Sequence, residues 1–525
     1  MANIILFTDR APRNYTFNQV GIGLEYYNRP AGAYVLASWL RKHGYSVLVV
    51  PHSIKLTLNG VKDFISRNDK DLLWVGISTT FFTVRYGNLD KYRSNWHISP
   101  EMFCSQKDLF DNNKSQWPKG TELAWSNGEL NAIGDFLNKK YPEVPLIVGG
   151  AWITELKNGN LQNLRTNIYT IPGNAELYVK KVSEDLKNKK GISVELVSNV
   201  EFDNKDFITN SIDYTDHDFV DPTEWLGVEV SRACAFNCAY CTYDRKSTTD
   251  NYKVEALRDE LIRNYEIHGV KQFALLDDLY NDDPDKVKIL YDKVWSKLPF
   301  KAEWVSYLRL DLFWSFPETA EYVKASGCRL GAFGIETLND RAGKKVGKGL
   351  GKKRLLETLE MLKQVWGDEV IRTAFFISGL PYEPKESIEE TVEWMQKTDL
   401  IHTYDVTPHW ITPPDHKLFV NRLSPISKDY DKYGITWNEQ GWVNNVGVNW
   451  SDAQELAYRA MSAKPNGFSL GLGPYPDIRA MGFSHQQAIN LNRDPNFESI
   501  MKERLIEQGN KIDQRLKNIF NITGQ

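Results

Sequence analysis

Three of the five cysteines in this chain lie within a span of eight residues. Cys234, Cys238 and Cys241 form the pattern C-x3-C-x2-C, whereas Cys104 and Cys328 stand apart. A disulfide framework needs an even, dispersed set of cysteines, so clustered thiols favour metal binding. Because an iron–sulfur cubane normally takes four thiolates, three on one loop would leave one iron with an open site. Open sites distinguish catalytic metal centres from structural ones.

Structural zinc is the alternative metal for this loop. Cys328 or a histidine would then supply the fourth ligand. Zinc knuckles prefer paired C-x2-C spacings, and the sequence contains no second pair. The spacing therefore favours an iron–sulfur cluster over zinc, and over cysteines that simply pack in a core.

Two series of alternating strand and helix patterns must position the loop. In the first, residues 1–200, the apolar runs are continuous, as in parallel strands covered on both faces. Its predicted strands are 4–7, 47–50, 72–77, 145–148 and 168–171. An amphipathic helix over 34–44 separates the first two. The pattern predicts a flavodoxin-like or Rossmann-like α/β domain, an open doubly wound sheet with ligands at the carboxyl ends of its strands.

The second series predicts a partial (β/α)6 barrel over residues 223–411. Its predicted strands are 226–230, 272–276, 303–307, 330–335, 371–377 and 405–411. The active site of such a barrel lies at the carboxyl ends of the strands, and the cysteine loop follows the first of them. Residues 201–222, rich in Asp, Asn and Thr, predict a linker. Residues 412–525 predict a mixed, mainly helical accessory region.

The composition is that of a globular enzyme. Of 525 residues, 42% are hydrophobic and 25% charged. The 64 basic and 68 acidic residues give a formal net charge of −4, which argues against non-specific binding of nucleic acid or anionic membranes. No stretch approaches the roughly 18 apolar residues of a membrane helix, and the first residues show no signal-peptide pattern. We therefore expect a cytoplasmic protein with neither a membrane nor a nucleic-acid partner.

Residues 231–241 resemble the cluster loop of the radical S-adenosylmethionine (SAM) superfamily, including the aromatic residue before the last cysteine. The resemblance continues along the barrel in four further motifs: L-L-D-D at 275–278, R-x-D at 309–311, G-I-E-T at 334–337 and G-L-P at 379–381. It implies that Cys234, Cys238 and Cys241 hold a [4Fe-4S] cluster whose open iron chelates SAM. One electron would then cleave SAM to a 5′-deoxyadenosyl radical that abstracts hydrogen from the substrate.

The resemblance also implies roles for four other residues. Tyr240 would contact adenine through its backbone, and Glu336 would contact the nucleoside or the amino group of SAM. Asp277 and Arg309 are further cofactor-binding candidates. Each has a structural alternative: Asp277 as a helix N-cap, Arg309 and Glu336 as an ion pair, and Tyr240 as a packing residue.

The first domain resembles the cobalamin-binding domains of one branch of this superfamily. The motifs are R-P-A-G at 29–32 with its helix, V-G-I-S at 75–78, I-V-G-G-A at 147–151 and P-G-N-A-E at 172–176. Small residues at Ser78, Gly149 and Gly150 would leave room for a bulky cofactor tail. The segment 9–14 lacks the histidine of the D-x-H-x-x-G motif, so no lower axial ligand is supplied there. The alternative is a flavodoxin-like domain that binds substrate or no ligand.

Together the resemblances cover roughly the first 410 residues. They imply a cobalamin-dependent radical SAM methyltransferase acting at an unactivated centre of a small molecule, with an electron donor such as flavodoxin or ferredoxin. One alternative is a radical SAM enzyme that cyclises or rearranges its substrate without methyl transfer. Another is an iron–sulfur redox or electron-transfer protein, although such a carrier would have four thiolates.

Cys238→Ala is expected to abolish cluster-dependent activity while leaving the fold largely intact, because one cluster ligand is lost and only a loop side chain is shortened. Iron and sulfide analysis after reconstitution, beside wild-type protein treated identically, measures the effect. A variant that kept a complete [4Fe-4S] cluster would show the three-cysteine assignment to be wrong.

Overall fold

The computed structural model describes most of the chain. Its described residues are 3–8, 13–17, 20–24, 28–78, 84–86, 121–123, 127–150, 164–171, 175–192, 204–232, 234–242, 252–414, 423–463, 470–472, 474–491, 494 and 496–522. Some residues of the sequence motifs lie outside these ranges, namely Cys104, Ala151, Ala233 and the segments 9–12 and 172–174.

Five parallel strands form the first sheet: β1 Ile4–Phe7, β2 Val47–Val50, β3 Trp74–Ser78, β4 Leu146–Gly149 and β5 Ile168–Ile171. Their order is β2-β1-β3-β4-β5, which is the flavodoxin-like order of a doubly wound sheet. Every residue of β1 and β2 is buried, as their continuous apolar runs require. The predicted doubly wound sheet is confirmed, and its strand bounds differ from the predicted ones by at most two residues.

Helices cover both faces of this sheet: α1 Ala31–Lys42, α2 Leu58–Arg67, α3 Asn127–Lys140 and α4 Glu176–Lys187. Side chains of α1 and α4 belong to one buried apolar cluster, and side chains of α2 and α3 to another. Helix α1 ends before Gly44, whose φ of +83° lies in the left-handed region. Two antiparallel hairpins, Arg13–Phe17 with Val20–Leu24 and Val84–Tyr86 with Thr121–Leu123, complete the described part of this domain.

The predicted linker is folded where the structure describes it. It contains helix α5 Asn204–Thr209 and a 3-10 turn at Asp216–Asp218. Arg41 of α1 donates to the Asp213 carbonyl at 2.9 Å and to the buried Asp218 carboxylate at 3.0 Å. Two of the acidic residues that suggested a linker therefore accept hydrogen bonds from the first domain, Asp213 through its carbonyl and Asp218 through its carboxylate.

Six parallel strands in sequence order form the barrel: β6 Trp225–Val228, β7 Gln272–Leu275, β8 Glu303–Leu308, β9 Cys328–Glu336, β10 Ile371–Ser378 and β11 Thr403–Pro408. The helices of this region are α6 Glu255–His268, α7 Pro284–Lys293, α8 Leu310–Ser315, α9 Thr319–Ala325, α10 Asp340–Val346, α11 Lys352–Trp366 and α12 Lys385–Lys397, with a 3-10 turn at Trp295–Lys297. The predicted partial (β/α)6 barrel is confirmed.

The C-terminal region is mainly helical, as predicted. Its helices are α13 Pro425–Lys428, α14 Tyr430–Tyr433, α15 Trp450–Ser462, α16 Pro474–Ala480, α17 His485–Asn490 and α18 Phe497–Ile522, with a hairpin of Thr436–Asn438 and Gly441–Val443. Helix α16 packs against the amino ends of the barrel strands, where Arg479 bonds to Glu303 at 2.7 Å. None of the helices in the described ranges combines the length and apolar character that a membrane crossing requires.

A buried ion-pair triad joins all three regions. Glu224, directly before β6, accepts from Nε and Nη2 of Arg29, both at 2.9 Å. Arg515 of α18 bonds to the same carboxylate. The side chains of Arg29 and Glu224 are fully buried, and that of Arg515 is 3% exposed. Because one carboxylate balances two cations away from water, its removal leaves both charges uncompensated.

Glu224→Gln is expected to lower the free energy of unfolding by about 3–5 kcal/mol, the usual cost of breaking a buried pair from one side. Equilibrium denaturant unfolding measures the change. Glu360→Gln, on the exposed face of α11, is the control and is expected to change stability by under about 0.5 kcal/mol. Equal stability of the two variants would contradict a role of the triad in holding the regions together.

Candidate functional site

The cysteine loop leaves the barrel at the carboxyl end of β6. Cys238 is buried, whereas Cys234 and Cys241 are partly exposed. The loop is held to the end of α10, because the Ala239 amide donates to the Val346 carbonyl at 3.0 Å. Gly347, with φ of +84°, follows that carbonyl, and its hydrogen faces the Cys238 backbone. The three thiols therefore project from a loop whose backbone is tied to the neighbouring helix.

Asp277 holds the start of this loop. Its carboxylate accepts from the Ser231 hydroxyl at 2.8 Å and also from the Ser231 amide. Burial raises the pKa of Asp277 to about 6, against the opposing charge of Lys286. Asp277 caps no helix, since α7 begins later and takes Asp283 as its N-cap. The structure thus gives this predicted site residue a contact with the cysteine loop.

Arg309 reaches a cysteine of the loop. Its Nη1 lies 3.5 Å from the Cys238 sulfur, and its guanidinium lies 3.7 Å from the centre of the Phe236 ring. Asp311 binds the same guanidinium through two hydrogen bonds of 2.9 and 2.6 Å, which explains the R-x-D spacing. Asn281 holds the Arg309 backbone at both its amide and its carbonyl. Arg309 is therefore fixed as a hydrogen-bond donor to one thiol.

Glu336 occupies a strained position at the end of β9. Its φ is +69°, which is uncommon for a residue with a side chain and recurs at functional sites. The carboxylate accepts from the Tyr240 hydroxyl at 2.7 Å and lies 3.9 Å from the Lys348 ammonium. Burial raises the pKa of Glu336, and Lys348 opposes the shift. A β-carbon at Gly334 would collide with this carboxylate, which explains the glycine of the G-I-E motif.

Tyr240 connects the cysteine loop to the fourth barrel strand. Burial, followed by the neighbouring Glu336 carboxylate, holds the pKa of this phenol well above its usual range, so the hydroxyl donates as a neutral group. The structure brings Tyr240 and Glu336 together, as their prediction for one site requires. Glu336 bonds to Tyr240, and Arg309 bonds to Asp311, in place of the ion pair considered between Arg309 and Glu336.

Ser78, Gly149 and Gly150 lie at the carboxyl edge of the first sheet. Ser78 of β3 and Gly149 of β4 are paired in register. Of the residues that the structure describes, the one that a β-carbon at Gly149 would approach is Ile171, whose carbonyl lies at an ordinary 3.7 Å. Gly150 has φ of +109°, a conformation that suits glycine. The three small residues therefore lie together at the predicted ligand edge.

Arg232, two residues before Cys234, links this edge to the cysteine loop. It bonds to Glu229 through two hydrogen bonds of 2.9 Å and to Glu176 of the first domain at 2.6 Å. Its guanidinium also lies 4.9 Å from the centre of the Phe207 ring. The sequence motifs contain Arg232 and Glu176 but give no sign of their pairing, because 56 positions of chain separate them.

The donor set fits a cluster better than a single ion completed by Cys328. Among the described residues, no three Cys, His, Asp or Glu side chains converge closely enough to hold one metal ion. In a cubane each cysteine binds a different iron, so the three thiols need not come within bonding distance of one and the same ion. Cys328 begins β9 at the amino ends of the barrel strands, whereas the cysteine loop lies at their carboxyl ends. At roughly 3.3 Å per residue, Cys328 is about 26 Å from Glu336 at the other end of the strand. It therefore cannot complete a zinc site with the loop.

A parallel six-stranded barrel with three cysteines at its mouth defines a class of iron–sulfur enzyme. Residues 228–395 match the sequence model of the radical SAM superfamily. The match begins in β6, includes the whole cysteine loop and ends in α12. This match confirms the prediction of a radical SAM barrel that was drawn from the cysteine loop. A radical SAM domain implies a [4Fe-4S] cluster and SAM as cofactors.

One curated relative is an uncharacterized methyltransferase of Pyrococcus horikoshii. It is 27% identical over 176 residues, which are 33% of this chain and 37% of the relative. The chain thus matches little more than a third of that protein's length.

Two solved structures share the fold over nearly the whole chain. The radical SAM methyltransferase TsrM of Kitasatospora setae, solved with tryptophan substrate and a SAM analog, superposes with a TM-score of 0.59 at 11% identity, covering 96% of this chain and 99% of that one. The cobalamin-dependent SAM radical enzyme OxsB, solved with aqua-cobalamin and SAM, gives 0.54 at 12% identity, covering 99% and 79%. At these identities the likeness shows a common fold.

Arg309→Gln is expected to make the midpoint potential of the reconstituted cluster more negative, because a cationic donor beside a thiolate stabilises the reduced, more negative cluster. The expected shift is about 59 mV, a tenfold change in a one-electron equilibrium. Arg309→Lys keeps the charge without the planar fork, so its shift is expected to be smaller. A redox titration followed by electron paramagnetic resonance measures all variants.

Arg341→Gln is the control for this titration, because Arg341 is exposed and lies over the Tyr382 ring. Its potential is expected to equal that of the wild type. An Arg309→Gln cluster with an unshifted potential would contradict a hydrogen bond from Arg309 to the Cys238 thiolate.

Proposed function

We propose that this protein is a cobalamin-dependent radical SAM methyltransferase acting on an unactivated centre of a small molecule. One observation carries the proposal. The carboxyl edge of the first sheet adjoins the cysteine loop, where Glu176 and Arg232 form an ion pair of 2.6 Å. Ligands of doubly wound sheets bind at that edge, so two cofactor sites would face one another across this contact.

Cys234, Cys238 and Cys241 would hold the cluster. When bound, the cluster supplies the single electron that cleaves SAM to a 5′-deoxyadenosyl radical. The protein's own part is positioning. Asp277 fixes the entry of the loop, and Arg309 fixes Cys238, so the thiols are held before any ligand arrives.

Glu336 and Tyr240 would recognise SAM. The left-handed backbone of Glu336 aims its carboxylate toward the cysteine loop, and the Tyr240 hydroxyl occupies one oxygen. The carboxylate can accept further hydrogen bonds from nucleoside hydroxyls or from an ammonium group. Lys348, 3.9 Å away, favours the ionised form that such acceptance requires.

Ser78, Gly149 and Gly150 would accommodate cobalamin. At Gly149 no described atom lies closer than 3.7 Å to the position of a β-carbon, so a larger side chain there would take up space that the cofactor would need. Cobalamin, when bound, supplies a metal centre that carries a methyl group from SAM to the substrate. The two solved structures support this assignment, because one is of a methyltransferase and the other is of a cobalamin-dependent enzyme. So does the description of the Pyrococcus relative as a methyltransferase.

Electrons must come from outside the barrel. We expect a low-potential donor such as flavodoxin or ferredoxin to deliver them. Cys234 and Cys241 are partly exposed, so the loop is accessible from the surface.

The test is an anaerobic assay of the reconstituted protein with SAM and a strong reductant, with and without cobalamin. Mass spectrometry quantifies 5′-deoxyadenosine and S-adenosylhomocysteine together. Both products, with the second dependent on cobalamin, are expected. Deoxyadenosine alone would overturn methyl transfer in favour of cyclisation or rearrangement. Neither product, from protein that holds its cluster, would overturn the radical function as well.

The Gly149→Val variant tests where cobalamin binds, because the valine side chain would occupy space at the carboxyl edge of the first sheet. We expect loss of cobalamin binding and of S-adenosylhomocysteine, with 5′-deoxyadenosine formation retained. Gly191→Val is the matched control, because no atom of the described residues lies within 4 Å of a β-carbon at this exposed position. Cobalamin retention by Gly149→Val, seen in the absorption spectrum, would contradict the placement of this cofactor.

A further inference from the structure

A strongly basic segment of the barrel takes no part in the site described above. Residues 341–354 contain seven Lys or Arg residues and no Asp or Glu, although the whole chain has a formal net charge of −4. The segment covers most of α10 and the first turn of α11. Lys348 is turned toward the site, where its ammonium donates to the Gly334 carbonyl at 2.7 Å. The other six cations form what we call the basic face: Arg341, Lys344, Lys345, Lys352, Lys353 and Arg354.

One hydrogen bond holds the two helices of the basic face together. The amide of Lys352, the first residue of α11, donates to the carboxylate of Asp340, the first residue of α10, at 2.6 Å. Five of the six cations are exposed, and Lys345 is half-buried. Within the part of the chain that the structure describes, only Lys353 has a carboxylate within ion-pair distance, that of Glu357 at 3.9 Å. The described residues therefore leave most of this positive charge unneutralised.

Three of these cations lie at an unfavourable end of their helix. Lys352, Lys353 and Arg354 form the first turn of α11, which holds no acidic residue. The amino end of a helix carries partial positive charge, so cations there destabilise the helix, whereas Asp or Glu would stabilise it. Helix stability therefore does not explain these residues. Their charges add to the field of the helix and attract an anionic partner.

Exposed aromatic side chains border the basic face. The Arg354 guanidinium lies 5.7 Å from the centre of the Trp314 ring, which is 40% exposed. Phe316, two residues later, is 37% exposed. Tryptophan, phenylalanine and arginine are enriched at protein–protein interfaces. A small acidic protein fits this face better than a nucleic acid, because a long polyanion would also meet the rest of a chain whose net charge is negative.

The basic face adjoins the cysteine loop. Lys345 directly precedes Val346, whose carbonyl accepts from the Ala239 amide at 3.0 Å. A β-carbon at the next residue, Gly347, would lie 3.6 Å from the Cys238 α-carbon. A protein bound to the basic face would therefore lie against the loop that would carry the cluster, where an electron has a short path to it.

We propose that the basic face docks the protein that reduces the cluster, and that this partner is a small electron carrier with an acidic face around its flavin or iron–sulfur centre. The inference rests on the proposed function, which requires one electron for each SAM that is cleaved. In the docked complex one electron passes from the reduced carrier to the oxidised cluster. The carrier is oxidised by that one electron, and no atom is transferred. Opposite charges steer the two proteins together and fix the orientation of the carrier.

The test measures reduction of the reconstituted full-length protein by a fully reduced, negatively charged flavodoxin in anaerobic stopped-flow experiments. The second-order rate constant of the wild type is expected to fall about tenfold from low to high salt, because salt screens electrostatic steering. Lys352→Glu/Lys353→Glu is expected to lower this constant about tenfold at low salt. Acidic residues suit the first turn of α11, so this variant is expected to unfold at no lower denaturant concentration than the wild type.

Lys189→Glu/Lys190→Glu is the matched control, because it makes the same change in net charge at an exposed turn after α4. Its rate constant with flavodoxin is expected to equal that of the wild type. Photoreduced 5-deazariboflavin, an uncharged small reductant, needs no docking surface. It is expected to reduce all three proteins equally and to support equal formation of 5′-deoxyadenosine from SAM.

Equal slowing of the two double variants, or slowing of neither, would overturn the docking surface. A wild type that deazariboflavin reduces and flavodoxin does not would overturn the acidic carrier. Salt-sensitive binding of a mixed-sequence RNA oligonucleotide, lost only in Lys352→Glu/Lys353→Glu, would assign the face to nucleic acid and overturn the proposal as well. Failure of the deazariboflavin-reduced wild type to form 5′-deoxyadenosine would instead contradict the proposed function, so the two failures are distinguishable.

Discussion

The Arg232 guanidinium is the charged contact that joins the first sheet's domain to the start of the cysteine loop. It lies between Glu229, at the end of the first barrel strand, and Glu176 of the first domain, and its side chain is only 14% exposed. Separating the domains would leave buried charges without partners, which is costly in an interior that water reaches poorly. This side chain therefore ties the helix that follows the first sheet to the start of the cysteine loop.

Within the barrel mouth, the conformation of the backbone holds the side chains of the site in place. Gly347 lets the end of α10 approach Cys238, and Gly334 leaves room for the Glu336 carboxylate. The left-handed conformation of Glu336 stores strain that the surrounding strands support. Asp277 completes the arrangement by binding the start of the loop. A ligand would therefore meet side chains already held in place, which lowers the entropy cost of binding.

Much of the fold could be predicted from the sequence, because a strand buried on both faces must be continuously apolar. All eleven predicted main-sheet strands exist, with bounds within three residues of the predicted ones. The structure of the segment 201–222 was harder to predict. Its Asp213 and Asp218 are held by Arg41, which lies more than 170 positions away in the chain. The contacts of Asn281 and Phe236 with Arg309 could not be predicted either, because no local sequence pattern indicates them.

Residue type and spacing were sufficient to identify the three cysteines, because thiols at short intervals on a strand-end loop have few uses other than metal binding. They also predicted that Ser78 and Gly149 end neighbouring strands, where the two residues are paired in register. Only the tertiary structure decided that Tyr240 meets Glu336 and that Arg232 joins the domains. Spacing along a chain is a local property, whereas these contacts arise from strands and helices brought together by burial of apolar surface distributed over the whole sequence.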